Sequence, residues 1–578
     1  PVAHSFPTRR SSDLTENETE KHGEEKQNGS PKIAYFSMEI GIDERIPSYS
    51  GGLGVLSGDT VKSCADLNLP LVAITLLSEK GYFYQKIDDE GNQHEVPMQF
   101  NPEDFLIELP TKTSVEIEGR TVQLRVWLYE YHGINDYIIP VLFLDSNVEG
   151  NEEWDRSLTK YLYGGDQHYR LAQEIILGVG GVRMLQTLGY DQIYRYHMNE
   201  GHAAFGTLEL YRRFKDVEKV RDHCVFTTHT PVAAGHDQFG LEMTQQMIGD
   251  LLPSDFLSEF TFENKVNMTR LALFFSHYVN GVAKKHKEIS QSMFPGYAID
   301  SITNGVHSQT WVSKPFQKLF DKHIGGWRSD PFILRSAFSI DKQEIWDAHQ
   351  KAKKNLIDFV NLRCNVGMNY DDLTIGFARR ATAYKRPNLL ISDINRLQDI
   401  ASNKGNLQII YAGKAHPKDG GGKDIIRRIV KTSKEINNNI RMAFIQNYDI
   451  TLGKLITAGV DLWLNTPRRP LEASGTSGMK AAHNGVPQFG TLDGWWLEGC
   501  IENITGWSIG PEKTEDQHSD DETDRNDLYE KLEHLIIPKF YEDRDNWIRT
   551  MRSCIAINAS FFNTNRMVQQ YVLNAYFI

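Results

Sequence analysis

Cysteine is scarce in this chain: Cys64, Cys224, Cys364, Cys500 and Cys554 are scattered through 578 residues, an odd count with no CxxC pair. That excludes a disulfide framework and fits reduced thiols in the cytoplasm. Long apolar runs are also missing. None approaches the ~20 residues that span a bilayer, so no membrane partner is expected. Positive charge is in deficit, with 63 Lys and Arg against 76 Asp and Glu and a formal net charge of −13. A nucleic-acid coat or an anionic membrane surface is a poor partner for such a chain, although a local basic pocket is still allowed. No internal repeat is visible, so almost the whole length must serve one extended core or two.

What is present is ordinary globular material, 40% hydrophobic and 24% charged. At ~150 residues per domain the length suggests about four units, but two large α/β domains fit equally well. Residues 1–30 are polar, with the runs Pro7 to Ser12 and Glu16 to Lys26 and no apolar h-region. They read as a disordered or artificially appended leader rather than a secretory signal.

From Lys32 the texture changes. Apolar runs of strand length occur at Ile33 to Phe36, Leu71 to Leu77, Ile138 to Leu144 and Cys224 to Thr228. Helical patterns stand among them at Leu171 to Leu188 and Ala203 to Phe214. A second series runs Leu373 to Ala378, Leu407 to Ala412, Ile440 to Ile445 and Val460 to Leu464, with helical patterns at Asn388 to Ile400 and Lys423 to Ile436. Near-continuous apolar strands alternating with helices predict parallel sheets covered on both faces, hence an α/β chain with two doubly wound domains. Between the series, Ser308 to Asp341 has the Trp-, Phe-, Pro- and Gly-rich texture of a crossover. Met567 to Ile578 is apolar enough to need a docking surface, and is expected to return across a domain boundary.

Ligands of open parallel sheets sit beyond the carboxyl ends of the strands, so polar clusters there carry the functional reading. Tyr49-Ser50-Gly51-Gly52-Leu53-Gly54 precedes a helix-compatible stretch, and its glycines would let backbone N–H groups approach a ligand. It meets neither the Walker A nor the GxGxxG pattern, and an ordinary turn is the competing reading. His197-Met198-Asn199-Glu200-Gly201-His202 and Thr227-Thr228-His229-Thr230-Pro231 raise the question of zinc. The five-residue spacing of His197 and His202 is not that of HExxH, and no cysteine stands near, so no metal is assigned.

The second half is richer. Arg379, Arg380, Lys385 and Arg386 cluster just after the Leu373 strand, where a solvated patch competes with an anion site such as one for phosphate. Glu472-Ala473-Ser474-Gly475-Thr476-Ser477-Gly478-Met479-Lys480 reads as a small-residue turn opening a helix, a second anion cradle. Lys480 is then either an exposed helix residue or a covalent or charge-paired group.

With these residues in view, the chain resembles the α-glucan (glycogen, maltodextrin) phosphorylases, in a short form without a long regulatory amino-terminal region. The resemblance runs from about Lys32 to at least Trp496. It rests on Gly51 to Gly54, Thr303-Asn304-Gly305, Tyr384-Lys385-Arg386, Gly413-Lys414-Ala415 and the run EASGTSGMK at Glu472 to Lys480. It implies two Rossmann-like domains facing a central cleft: residues 31–309, residues 310–556, and a C-terminal helix in 557–578 packing back toward the first. It also implies pyridoxal 5′-phosphate held as a Schiff base on Lys480, with the cofactor phosphate doing the acid–base work.

By the same resemblance Arg380 matches the substrate-phosphate position. Lys385 lies near both phosphates and Arg379 toward the cofactor phosphate, while Thr476, Ser477 and Gly478 complete the cradles. Glu472, Ser474, Gly475, Asn304, Tyr384 and His229 match sugar-site positions, and the Gly52-Leu53 backbone closes over sugar and phosphate. The implied partners are an α-glucan and inorganic phosphate, and a homodimer is compatible with the family.

Departures are few. Thr382-Ala383 stand where nearer relatives of the animal enzymes carry His-Glu, and Ala481-Ala482-His483 also differ. A nucleotide-sugar-dependent synthase on the same fold would need Lys at position 49 and a second glutamate eight positions after Glu472. Tyr49 and Lys480 stand there instead. A non-catalytic glucan-binding protein would explain aromatics in a cleft, but not two phosphate cradles. Trp495 and Trp496 are candidates for stacking on sugar faces, with core packing the alternative.

Overall fold

The computed structural model describes residues 30–436, 439–511 and 520–577. The leader therefore lies, all but its last residue, outside the described residues. Apolar strands that alternate with helices form two large sheets. The first has nine strands in the order Asp300–Ser301, Tyr278–Gly281, Cys224–Thr227, Arg195–Asn199, Ile33–Ser37, Leu71–Leu76, Ile138–Asp145, Arg120–His132 and Ile107–Ile117. Strands from Asp300 to Ile138 run parallel, and a long antiparallel hairpin completes the edge. The second is wholly parallel, in the order Ile440–Ile445, Leu407–Ala412, Leu373–Ala378, Leu462–Asn465, Gln488–Thr491 and Gly506–Ile509.

The central strands are buried along their length, as continuous apolar runs require when helices cover both faces. In the second sheet the chain starts in the middle, at Leu373. It winds outward through Leu407 and Ile440, then returns to the other side at Leu462. The order reverses between Leu373 and Leu462, and a crevice opens at such a reversal beyond the carboxyl ends. Arg379 and Thr466 begin the two loops that leave it.

Three observations refine the sequence reading. The predicted Leu171 to Leu188 helix is Gln167–Ile175 and Gly181–Thr187 joined through a π-turn at Ile176–Gly180. The C-terminal segment joins the core of the first sheet, where Met567, Val568, Tyr571, Ala575 and Tyr576 pack with Ile33, Tyr35 and Ala73. Polar contacts seat it: Tyr576 Oη lies 2.7 Å from His197 Nδ1, and Ser63 Oγ lies 2.6 Å from Thr564 Oγ1.

Sequence inspection did not anticipate that the hairpin Tyr84–Ile87 and Gln93–Val96 docks on the second sheet's loops. Gln93 Nε2 donates to the Ala415 carbonyl and Gln93 Oε1 accepts the Ala415 N–H, both at 2.9 Å. Gln85 and Asn447 exchange a similar reciprocal pair.

Candidate active site

The helix Gly52–Asp66 connects the two halves of the site. Its start is set by Glu39, which follows the Ile33–Ser37 strand and whose Oε2 accepts the N–H groups of Ser50 at 2.5 Å and Gly51 at 3.3 Å. Gly51 and Gly52 have open space where a Cβ would stand, so they leave the backbone approachable. A Cβ on Gly58 would meet the Gly41 carbonyl oxygen at 2.1 Å, so that glycine serves close packing. Leu53 is half-buried.

On one side, the helix reaches the first sheet's loops. Ser57 Oγ accepts a hydrogen bond from Asn199 Nδ2 at 2.8 Å, and Asn199 Oδ1 accepts one from His229 Nε2 at 2.6 Å. The Glu200 carboxylate holds the His229 N–H at 2.8 Å and the Thr230 hydroxyl at 2.9 Å. Burial, only partly opposed by Glu200, pulls the His229 imidazole down to about 4, so the ring is neutral at pH 7. With Nε2 donating, Nδ1 is the ring's acceptor. Asn304 is buried with its Oδ1 unpartnered among the described residues, and its backbone is fixed by Val282 and Arg566.

On the other side, the helix meets the Ser477–Ala482 helix, where Val55 and Met479 share an apolar cluster with Trp311, Trp495 and Trp496. Lys480 Nζ sits 4.0 Å from the centre of the Trp311 ring, and Trp311 Nε1 donates to Asp59 Oδ2 at 2.7 Å. Among the described residues Lys480 Nζ has neither a hydrogen bond nor an ion pair. Burial, partly opposed by Asp59, lowers its ammonium to about 8.

At the reversal of the second sheet, Glu472 Oε2 takes Lys385 Nζ at 2.6 Å and Arg379 Nη2 at 2.7 Å. Burial pushes this carboxyl up, but the two cations more than offset it and hold it below the usual range. Arg379 Nη1 also donates to Asn465 Oδ1. Tyr384 lies beside Lys385, whose Nζ is 4.5 Å from the ring centre. Arg380 is exposed. Arg379 Nε, Ser474 Oγ, Asn465 Nδ2 and both polar atoms of the Gln488 amide are buried without a partner among the described residues.

A Cβ on Gly478 would stand 1.6 Å from Gln488 Oε1, and Gly475 has φ +86°. Thr476 is the residue before the helix, and Ser477 Oγ accepts from Trp463 Nε1 at 3.2 Å.

One expectation is corrected, and one open alternative is decided. Arg386 does not belong to the cationic cluster at the cleft: its guanidinium is buried on Asp521, Asp524 and the Thr466 and Pro467 carbonyls. Trp495 and Trp496 offer no sugar platform, since both are fully buried, 5.1 Å apart, with Trp495 edge-on to Phe562. Asp59, Trp311 and Glu39 were missed. Glu39 does follow a strand, which was a usable signal, whereas Asp59 and Trp311 meet Lys480 only through tertiary packing.

A mixed and a wholly parallel sheet whose loops carry buried cations, a lysine without a polar partner among the described residues and a glycine-opened helix define a transferase-like α/β site. A family model for carbohydrate phosphorylases matches residues 232–506. A maltodextrin phosphorylase of Thermococcus litoralis is 38% identical over 93% of this chain and 70% of its own length. Glycogen phosphorylases of Mycobacterium tuberculosis and Aquifex aeolicus are 34% and 32% identical, over 94% and 96% of this chain and 70% and 87% of theirs. The chain belongs to the carbohydrate phosphorylase family.

Proposed function

We propose that the protein is an α-1,4-glucan phosphorylase that releases α-D-glucose 1-phosphate from the non-reducing end of glycogen or maltodextrin with retention. The observation that carries the reading is the buried Lys480 amine, which has neither a hydrogen bond nor an ion pair among the described residues. Residues 31–309 and 310–556 are its two lobes, with 557–578 returning to the first. Among the described residues the five cysteines form no disulfide, which supports a cytoplasmic setting.

The residues fit pyridoxal 5′-phosphate. A carbonyl anchor needs a neutral amine, and a lysine lowered to about 8 supplies far more of it at pH 7 than an exposed one. The unpartnered Arg379 Nε, Ser474 Oγ and Asn465 Nδ2 are donors of the kind an anion needs. When bound, the cofactor supplies a phosphate whose second proton dissociates near neutral pH.

In this reading Lys480 anchors the cofactor and Arg379, Thr476, Ser477 and Gly478 surround its phosphate. Lys385 serves both phosphates and Arg380 holds the substrate phosphate. Fixed cations are required because two phosphates side by side repel. Neutral His229 offers Nδ1 to a sugar hydroxyl, while Asn304, Tyr384, Glu472, Ser474 and Gly475 line the glucosyl site. Gly52 and Leu53 present backbone N–H groups over sugar and phosphate. Substrate phosphate protonates the glycosidic oxygen, the C1–O bond breaks, and a phosphate oxygen bonds C1 on the same face. No carboxylate nucleophile is required, unlike a two-carboxylate hydrolase.

Borohydride reduction followed by peptide mass spectrometry tests the anchor. A pyridoxyl adduct on Lys480, absent in a folded Lys480→Ala protein, is expected; an adduct elsewhere, or none after the cofactor is supplied, contradicts it.

A further inference from the structure

Asp493 is a buried carboxylate that none of the roles above employs. It stands beyond the Gln488–Thr491 strand and is 1% exposed. Its Oδ2 accepts the Glu472 N–H at 2.8 Å and its Oδ1 the Gly494 N–H at 2.9 Å. The Trp495 N–H reaches the Ser474 carbonyl at 2.9 Å, so the 493–495 turn grips the 472–474 segment at both ends. Contact is close enough that a Cβ on Gly494, at φ +54°, would meet the Ser474 oxygen at 2.4 Å. The backbone of Glu472 is thus set by Asp493, while its side chain is set by Arg379 and Lys385.

Two carboxyls consequently share one buried pocket with unequal partners. Glu472 has both cations. Among the described residues Asp493 accepts hydrogen bonds from backbone N–H groups alone and is attracted by Lys385; burial and the Glu472 charge raise it to about 7. A phosphate that draws Lys385 and Arg379 away would leave Glu472 less neutralised beside Asp493. Two carboxylates so placed favour sharing a proton.

Resting on the phosphorylase reading, we propose that Asp493 is a positioning residue for the phosphate site: it fixes Glu472 between Arg379 and Lys385, and the Glu472–Asp493 pair takes up a proton when phosphate engages those cations. The groups facing the pair are Arg379, Lys385 and the N–H groups of Glu472 and Gly494.

The test is calorimetric titration of inorganic phosphate into the holoenzyme in two buffers of different ionisation enthalpy, near pH 7.5, with phosphorolysis kinetics alongside. For wild type, uptake of a substantial fraction of a proton beyond that exchanged by the phosphate groups themselves is expected. Asp493→Asn keeps the shape but cannot accept from both N–H groups with its amide nitrogen. It should abolish most of the uptake and raise the phosphate KM about fivefold, the scale of one lost hydrogen bond, with kcat changed less.

Leu528→Ala, a remote core truncation in a fully buried position, serves as the control for lost stability. A purely structural Asp493 would behave like this control, with a lower Tm and unchanged uptake and KM, and that result overturns the proposal. If Asp493→Asn does not fold, absence of uptake in wild type overturns it equally. Failure of the phosphorylase reading is distinguishable, because wild type would then show no phosphate-dependent turnover at all.

Discussion

Glycines at two neighbouring places in the site do opposite things, and substitution separates them. At Gly52 a Cβ meets nothing within 4 Å, whereas at Gly478 it meets Gln488 Oε1 and lies 2.8 Å from the Trp495 ring. Gly478→Ala gains helix propensity of roughly 0.5–1 kcal/mol but overpacks a buried wall at a cost of about 1–3 kcal/mol, so thermal denaturation should show a net loss. Gly52→Ala should leave stability within about 0.5 kcal/mol while lowering kcat/KM for glucan, if the backbone there must approach the substrate. Equal effects of the two on stability would contradict the packing account. The sequence made both residues visible as members of small-residue runs. It did not distinguish them, because what separates a binding glycine from a packing glycine is the atom opposite. Arg386 shows the same limit: beside Lys385 in sequence, it turns away to Asp521 and Asp524, more than a hundred positions along.

At the scale of elements, the C-terminal segment is sealed to the first sheet by buried neutral histidine chemistry. His197 bonds Tyr576 Oη and, at 2.8 Å, Thr227 Oγ1, and burial lowers it to about 3. Burial similarly lowers His483 and His286 to about 4. Folded values below the usual 6.5 mean the unfolded chain binds more protons. These groups therefore stabilise fully above about pH 6.5, and the contribution is lost as pH falls toward 4, at roughly 1.4 kcal/mol per pH unit per group. Denaturant midpoints should fall steadily over that window, and His197→Gln should flatten the slope by about one proton. A midpoint constant between pH 6.5 and 4.5 would contradict the assignment. Eight strands of the two sheets were legible as continuous apolar runs, because parallel strands buried on both faces are such runs, whereas Arg195–Asn199, Tyr278–Gly281, Gln488–Thr491 and Gly506–Ile509 were not. The Arg120–His132 and Ile107–Ile117 hairpin was not, since its alternating polar face breaks such a run.

Across the whole molecule, the two halves meet through more than the cleft. Tyr49 Oη accepts the Ile450 N–H at 3.1 Å, and the hairpin carrying Gln85 and Gln93 in the first half is bound to Gly413, Ala415 and Asn447 in the loops of the second. Gln93→Ala removes both bonds to Ala415 at a cost of about 1–3 kcal/mol. It should let the halves separate further in solution scattering while circular dichroism is unchanged; an unaltered scattering profile would show the hairpin is not a tie. This docking could not be read from the sequence, because a polar hairpin with Gln at its contacts carries no hydrophobic pattern.

The central claim is phosphate-dependent cleavage of an α-glucan at the Lys480 and Arg379–Glu472–Lys385 site. Its most direct test is the appearance of glucose 1-phosphate from maltodextrin, with pyridoxal phosphate supplied, with and without inorganic phosphate. Glucose 1-phosphate is expected only when phosphate is present, and should be lost in Lys480→Ala. Free glucose released without phosphate, or no glucose 1-phosphate from a folded, cofactor-supplied wild type, would contradict the claim.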